Sequence, residues 1–217
     1  MRTEQNRTFI GCVVCLDLVG YSLKAVAVQG IIKEAFNEVL AESLRGIPQE
    51  ERIILDTGDG AAITFPGDPD YAFRVAIALR DAMNGAGPPL RMGESDPSPV
   101  RIGVNLGPMR PSVDMNGQLK VIGDGILRAE RIASLAHPGE VVVSRSFHDI
   151  AARLSHLHAA SFDHLGIRVD KTGREYDVYA IKTAAALAAA HRRKGDPDPR
   201  EMTQAVRRPD FLEPPED

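Results

Sequence analysis

The chain has 217 residues, of which 43% are hydrophobic and 26% charged, a composition typical of one globular domain with a sizeable core. Its net charge of −4 argues against a general nucleic-acid surface. It has no long apolar run and no signal-peptide core, so we expect a cytoplasmic protein that binds neither nucleic acid nor membrane.

The first part of the chain predicts a strand, a long helix, a hairpin and a second helix. A continuous apolar run rich in β-branched residues is typical of a central strand. Apolar side chains at three- and four-residue steps predict the long helix, and Asp68-Pro69-Asp70 has the pattern of a helix start. The predicted elements are the strand 8–17, the helix 23–44, the hairpin strands 52–55 and 61–65, and the helix 68–83.

The second part predicts a polar loop over 85–99, followed by further strands and helices. The order β-α-β-β-α-β-α-β-α-β-β predicts an α+β fold, with a mixed, mostly antiparallel sheet and helices packed on one face. His156 and His158 fall in a predicted solvated loop. The predicted elements are the strand 100–106, a loop or hairpin over 107–118, the helix 123–136, the strand 140–144, the helix 147–154, and the hairpin strands 162–169 and 175–181.

The composition changes at residue 182. Residues 182–194 are rich in Ala and predict a helix, and the remainder is rich in Pro and charge, as in a mobile tail. We therefore predict a folded domain over 8–181 and a separate tail over 182–217.

Cys12 and Cys15 have the spacing of a redox or zinc motif. They fall in a predicted strand, where residues three apart point to opposite faces, and no further zinc ligands lie nearby. We therefore expect two buried, inert thiols.

Acidic residues lie beside two predicted buried strands. Asp17 closes the first strand, and Asp59 lies at the tip of the hairpin, three residues after Asp56. Asp17 alone could cap the next helix, and the backbone near Gly20 could hold a phosphate. If the two strands are neighbours, Asp17 and Asp59 converge, and paired carboxylates suit Mg²⁺ or Mn²⁺ on a triphosphate.

Four blocks together resemble the catalytic domain of class III nucleotidyl cyclases. They read LDLVGYS, LDTGDGAAITF, VRIGVNLGP and VIGDGILRAERIASLAHPGEVVVS, in the family's order and spacing. The resemblance spans about residues 8–181. It implies a ferredoxin-like palm that works as a head-to-tail homodimer with its active sites at the interface.

The resemblance also implies roles for individual residues. Two divalent ions, Mg²⁺ or Mn²⁺, would be held at Asp17, Leu18 and Asp59. Arg131 would reach from the other subunit to the transition state. The triphosphate would be held by the backbone after Asp17 and by a basic residue near the last turn; these positions are Val19, Gly20, Tyr21, Ser22 and Lys171.

The base pocket departs from the family. Leu55 and Lys120 replace the lysine and the acid or threonine that read adenine, and neither gives a guanine pattern. Leu127 replaces the asparagine that positions the ribose, and Asn105 replaces a frequent histidine. Intact metal residues beside an unusual base pocket resemble the pyrimidine cyclases of bacterial anti-phage (Pycsar) systems, which make cyclic UMP or cyclic CMP for a separate effector.

Three functions follow. The first is a pyrimidine cyclase using UTP or CTP, with UTP slightly favoured because Lys120 could donate a hydrogen bond to O4 of uracil. The second is an adenylate cyclase with an unusual base pocket. The third is a non-catalytic nucleotide-binding regulator, which would bind nucleotide without releasing pyrophosphate.

Overall fold

The computed structural model describes residues 7–86, 100–183 and 186. Its helices and strands, considered below, lie within the unit Met1–Ile181. The predicted loop 85–99 and the predicted tail 182–217 fall almost entirely outside the described residues, so the structure of both segments stays a prediction.

The strands form one mixed, mostly antiparallel sheet, as predicted. Its order is β2-β3-β1-β4-β6-β8-β7, with β5 paired to β4 beside this path. Among the pairings of the described strands, only β4 with β6 is parallel. The strands are β1 (Phe9–Leu18), β2 (Ile53–Asp56), β3 (Gly60–Phe65), β4 (Val100–Val113), β5 (Leu119–Ile122), β6 (Val141–Ser144), β7 (Phe162–Val169) and β8 (Glu175–Ile181).

The helices of the described residues follow the predicted order, with one addition. The Asp68 side chain caps α2 by accepting from the Asp70 N–H at 2.8 Å, which confirms the predicted helix start. The short helix α5 was not predicted, and the Ser155 side chain caps it. The helices are α1 (Val26–Ser43), α2 (Pro69–Asp81), α3 (Asp124–Leu135), α4 (Arg145–Ala151) and α5 (His156–Ala160).

Helices cover both faces of the sheet, so the prediction of helices on one face is wrong. Cys12 and Val14 of β1 face a core built with α1, α2 and α4. Val13 and Cys15 face the other way, against α3. Gly103 of β4 makes this second layer possible, because a Cβ there would lie 2.2 Å from the Ala133 backbone nitrogen.

The two cysteines behave as predicted. Cys12 and Cys15 lie on opposite faces of β1, and both thiols are free and buried. Burial is the main cause that raises the pKa of each thiol to about 12. Because their side chains point to opposite faces of the strand, the two cysteines cannot form a disulfide with each other or share one zinc ion.

The hairpin of β4 and β5 differs from the sequence expectation. The strand predicted over 100–106 continues to Val113, although Gly107 and Pro108 suggest a break. The turn lies where Asn116-Gly117 predicts it, and the Asp114 carboxylate accepts from the Asn116 and Gln118 N–H groups. We call this projecting hairpin, residues 108–122, the arm.

The histidine prediction is half right. His156 is exposed. His158 is not solvated, because its Nε2 lies 3.0 Å from Asp70 Oδ1 and its ring packs on Phe73 at a centroid distance of 4.4 Å.

No helix within the described ranges is long and apolar enough to cross a bilayer.

Candidate active site

The end of β1 and the β2–β3 turn place two acids beside one cleft. Asp17 lies opposite Gly60 in the β1–β3 register, and the Leu18 N–H donates to the Asp59 carbonyl at 2.9 Å. Asp17 and Asp59 line a cleft of about 260 Å³, as their predicted convergence requires. Its other lining residues are Cys15, Leu16, Thr57, Glu130, Ala133 and Ser134.

The glycines of this turn have two different functions. Gly58 takes the positive φ of 86° that a turn needs. Gly60 is required for close packing instead, because a Cβ there would lie 1.9 Å from the Leu16 carbonyl oxygen. The hairpin is therefore where Asp-Gly predicts it, although the residue with positive φ is Gly58, one residue before Asp59.

The cleft leaves negative charge only partly compensated. Asp17 is half-buried, and this burial, together with the nearby Asp59 charge, raises the pKa of the Asp17 carboxyl above 3.8. Arg101 opposes the shift from 3.7 Å across the β1–β4 pairing. Sequence reasoning did not select Arg101, which faces Asp17 because the two strands pair in that register.

Asp56 supports the turn and does not line the cleft. Its Oδ1 accepts from the Gly58 N–H at 2.7 Å and from Lys33 Nζ at 2.9 Å. Burial opposes ionisation, but these hydrogen bonds outweigh it and lower the pKa of the Asp56 carboxyl. The expectation that Asp56 serves the turn agrees with these contacts, and sequence reasoning missed only its partner, Lys33.

The residues of the cleft fit a metal that is bound together with a phosphate substrate. Within residues 7–86 and 100–183, no cluster of three or more His, Cys, Asp and Glu side chains has the arrangement of a metal site. Mg²⁺ typically keeps several waters and uses one or two carboxylates plus substrate phosphates. Asp17 and Asp59 supply the two carboxylates for such a site.

The predicted phosphate segment follows β1 directly. Gly20 has a φ of 72°, and Tyr21–Leu23 form a turn of 3-10 helix. The Leu18 side chain is buried, so only the backbone of Leu18 could face a metal or phosphate. Val19 precedes Gly20, Ser22 is the middle residue of the turn, and Tyr21 packs partly against the core.

Arg131 does not line the cleft of its own chain. It lies on α3, and its Nη1 donates to Asp170 Oδ2 at 2.8 Å and to Thr172 Oγ1 at 3.1 Å. The Asp170 carboxylate is buried, and bonds from Thr172 and Arg131 hold its pKa well below the usual range. Lys171, the other predicted phosphate contact, is exposed on this β7–β8 turn.

The predicted base residues lie on β2 and on the arm. Leu55 is partly buried and packs against the cluster that contains Met109 and Val121. Lys120 is half-exposed, and its Nζ lies 3.1 Å from Asp114 Oδ2. β5 lies beside β2, so the two elements that carry these residues are neighbours.

Two further positions depart from the family pattern in different ways. Asn105 is buried, and its amide donates to the Gly125 carbonyl at 3.0 Å, so it supports the start of α3. Leu127 on α3 is exposed, as a residue facing a partner or a substrate would be. Glu130, which sequence reasoning did not select, adds a third acid to the cleft.

The comparisons with known proteins agree on the fold. "Putative adenylate cyclase 3" of Rhizobium meliloti (strain 1021) is 34% identical over 153 residues, which are 69% of this chain and 24% of that protein. The adenylyl cyclase CyaB of P. aeruginosa matches 82% of this chain and 96% of its own, with a TM-score of 0.67 and 16% identity. The chain has the class III nucleotidyl cyclase fold.

A guanylyl cyclase has the same fold. The dimeric guanylyl cyclase domain of the RhoGC fusion protein from Blastocladiella emersonii matches 82% of this chain and 98% of its own, with a TM-score of 0.61 and 16% identity. No protein-family model matches the chain. The chain spans about a quarter of the length of the Rhizobium relative. Within this cyclase fold, the Asp17–Asp59 cleft is the candidate active site.

Proposed function

We propose that this chain is a nucleotidyl cyclase domain, which converts a nucleoside triphosphate to a 3′,5′-cyclic nucleotide and pyrophosphate. The observation that supports it best is the placement of Asp17 and Asp59 beside one cleft on a cyclase fold. Burial and the nearby Asp59 charge raise the pKa of Asp17, and a divalent cation would relieve the repulsion between the two carboxylates.

The reaction is an in-line displacement. The ribose 3′ oxygen attacks the α-phosphorus, a new phosphorus–oxygen bond forms, the bond to the β-phosphate oxygen breaks, and the hydroxyl proton is released. When bound, two divalent ions would activate the attacking oxygen and neutralise the leaving pyrophosphate. Asp17 and Asp59 would hold those ions, while the backbone of 18–22 orients the triphosphate.

A second copy of the chain would complete the site with Arg131. A guanidinium suits the charge that develops on the α-phosphate oxygens. Exposed apolar side chains on and beside the arm support association of two copies, because an interface would remove them from water. These exposed residues are Val113, Met115, Leu119, Ile122 and Leu127.

For the base, Leu55 and Lys120 support a pyrimidine. Leu55 offers no hydrogen bond, and Lys120 offers a donor that could reach O4 of uracil. Cytosine fits less well, because its amino group prefers an acceptor. UTP is therefore the favoured substrate, with CTP next. The cyclic pyrimidine would then act as a second messenger in anti-phage defence, with a separate effector as its receptor.

ATP is the second candidate substrate. The Rhizobium relative is named an adenylate cyclase, and the arm holds the Asp114 carboxylate 3.1 Å from the Lys120 ammonium. A neighbouring donor and acceptor match N1 and the amino group of adenine. Sequence reasoning found only the donor, because Asp114 lies outside the family's base positions.

The test is incubation of the purified chain with Mn²⁺ and each of ATP, GTP, CTP and UTP, with products resolved by mass. Cyclic UMP or cyclic CMP supports the pyrimidine proposal, and cyclic AMP supports the second candidate. Nucleotide binding without any cyclic product or pyrophosphate would overturn the cyclase proposal and leave the non-catalytic regulator.

A further inference from the structure

Lys33 of α1 forms a dense set of contacts with the turn that carries Asp59. Its Nζ donates to Asp56 Oδ1 at 2.9 Å, to the Gly58 carbonyl at 3.1 Å and to the Gly60 carbonyl at 3.0 Å. An ammonium has three N–H donors, so the turn uses all of them. The Lys33 side chain is only 18% exposed.

These contacts lie on both sides of Asp59. Gly58 and Gly60 are its immediate neighbours, and the Asp59 carbonyl itself accepts from the Leu18 N–H of β1 at 2.9 Å. The turn is therefore fixed from β1 on one side and from α1 on the other. Such fixation sets the direction in which the Asp59 carboxylate leaves the backbone.

The turn does not need Lys33 to close. Strand pairing runs up to Asp56 and Ala61, and the Asp56 carboxylate already bridges to the Gly58 N–H. Ordering a mostly buried lysine side chain there has an entropic cost, which a simple hairpin would not require. Asp56 compensates the Lys33 charge, which explains why this turn carries a second acid.

We propose that Lys33 is a positioning residue, which holds the turn 56–60 so that the Asp59 carboxylate shares a divalent cation with Asp17. Because Asp56 pairs with Lys33, the charge of Asp59 stays available for the cation. This inference rests on the proposed function, but it concerns metal binding and can be separated from turnover.

The first test is Lys33→Met, measured against Arg45→Met. Arg45 is a solvent-exposed cation just beyond α1, so its loss controls for the removal of one positive charge. Loss of a group that orients a metal ligand typically costs about 10- to 100-fold in metal affinity, and we expect this increase in the Mn²⁺ concentration for half-maximal turnover. Arg45→Met keeps the wild-type Mn²⁺ dependence.

The second measurement does not depend on turnover. Mn²⁺ with pyrophosphate should raise the thermal unfolding midpoint of the wild-type protein, because a ligand that binds only the folded state stabilises it. The rise should shrink strongly in Lys33→Met at the same Mn²⁺ concentration. A purely structural lysine would lower the metal-free midpoint and leave the Mn²⁺-induced rise unchanged, and that result would overturn the inference.

Asp56→Asn provides a milder variant if Lys33→Met does not fold. It keeps both carbonyl contacts of Lys33 and removes the ionised acceptor, so we expect a smaller loss of Mn²⁺ affinity in the same direction. In that case, wild-type Mn²⁺ dependence in Asp56→Asn contradicts the inference.

The outcomes also separate the two proposals. The wild-type protein could form no cyclic nucleotide and still show a Mn²⁺-induced rise that Lys33→Met weakens. This result contradicts the cyclase proposal and supports the positioning role of Lys33. An active wild-type protein with an unaltered Mn²⁺ response in Lys33→Met contradicts only the positioning role of Lys33. A wild-type protein with neither turnover nor a Mn²⁺ response contradicts both.

Discussion

The acidic cleft and the Arg131 region treat charge in opposite ways. In the cleft, Asp17 and Asp59 repel each other, and the pKa of Asp17 is raised by burial and by Asp59. Around Arg131, the buried Asp170 carboxylate is fully hydrogen-bonded, and its pKa is lowered. The first region holds negative charge that is only partly compensated, by Arg101, while the second is neutralised within the chain.

This difference indicates how the two regions would work. Like charges close together destabilise the folded protein when no cation is bound, and the same charges attract a cation. An arginine fixed by a buried carboxylate is oriented before any substrate arrives, at little cost of side-chain entropy on binding. The expected dimer would bring the cleft of one copy to the arginine of the other.

The largest effect should come from Asp59→Ala. Removing one of the two carboxylates that we propose as metal ligands should lower turnover by about 1,000-fold, because the attacking oxygen and the leaving pyrophosphate would lose their charge stabilisation. Turnover with saturating Mn²⁺ measures it. Glu38→Gln is the control, which removes an exposed carboxylate from α1 and should keep wild-type activity. Full activity of Asp59→Ala would show that the cleft takes no part in the reaction.

A second variant affects both regions through α3. Gly103→Ala would place a Cβ 2.2 Å from the Ala133 nitrogen and 2.4 Å from the Ala129 carbonyl oxygen, both of which are backbone atoms. We expect a loss of about 3 kcal/mol in the free energy of unfolding, since backbone cannot move aside as a side chain can. Denaturant unfolding measures this, and Gly30→Ala, where a Cβ meets no atom within 4 Å, is the matched control.

A third pair of variants should change stability in opposite directions. In the metal-free protein at neutral pH, Asp170→Asn should lower the thermal unfolding midpoint by several degrees, and Asp17→Asn should raise it slightly. The first removes the negative charge and one of the two oxygens that accept from Arg131 and Thr172, and the second removes the repulsion with Asp59. A lower unfolding midpoint in Asp17→Asn would contradict the interpretation that repulsion between Asp17 and Asp59 destabilises the metal-free protein.

The two carboxyl groups should contribute to stability with opposite pH dependence. The folded-state pKa of Asp170 is depressed, so its stabilisation is present above the ordinary aspartate range and is lost as pH falls through the folded value. The folded-state pKa of Asp17 is raised above 3.8, so protonation relieves its repulsion as pH falls through that raised value, while Mn²⁺ binding weakens over the same range. Thermal unfolding of each variant across acid pH separates the two contributions.

The smallest effect concerns the base. Lys120→Asp should change the preference among the four triphosphates by about 10-fold while leaving the cleft intact, as loss of one recognition hydrogen bond would. Competition between pairs of triphosphates measures it, with Lys24→Asp as a control for an exposed lysine. An unchanged preference would remove Lys120 from base recognition.

The sequence predicts most of the fold because its signals are local. Asp68 with Pro69 gives the start of α2, and both strands of the last hairpin, Phe162–Val169 and Glu175–Ile181, have the predicted bounds. The length of β4 and the second helical layer are not local. Both depend on close approaches at glycines, where α3 meets Gly103 and where Gly107 lies beside Gly125.

The site shows the same division. Asp17 and Asp59 can be paired from the strand order, because their strands are neighbours in a β-α-β-β arrangement. Three other residues could not be found in this way, because each acts through a contact across the fold. Lys33 links α1 to the turn, Arg101 faces Asp17 on the neighbouring strand, and Asp170 links the last hairpin to α3. Such contacts leave no spacing pattern in a single sequence.

The most direct test of the account is complementation between Asp59→Ala and Arg131→Ala. Each variant alone should be inactive, because every site in its homodimer lacks either the cleft acid or the arginine. Mixing equal amounts should restore about a quarter of wild-type turnover, since half of randomly formed two-fold dimers are mixed and each has one intact site. Activity in either variant alone, or none in the mixture of exchanging dimers, would contradict a site shared between the acidic cleft and Arg131.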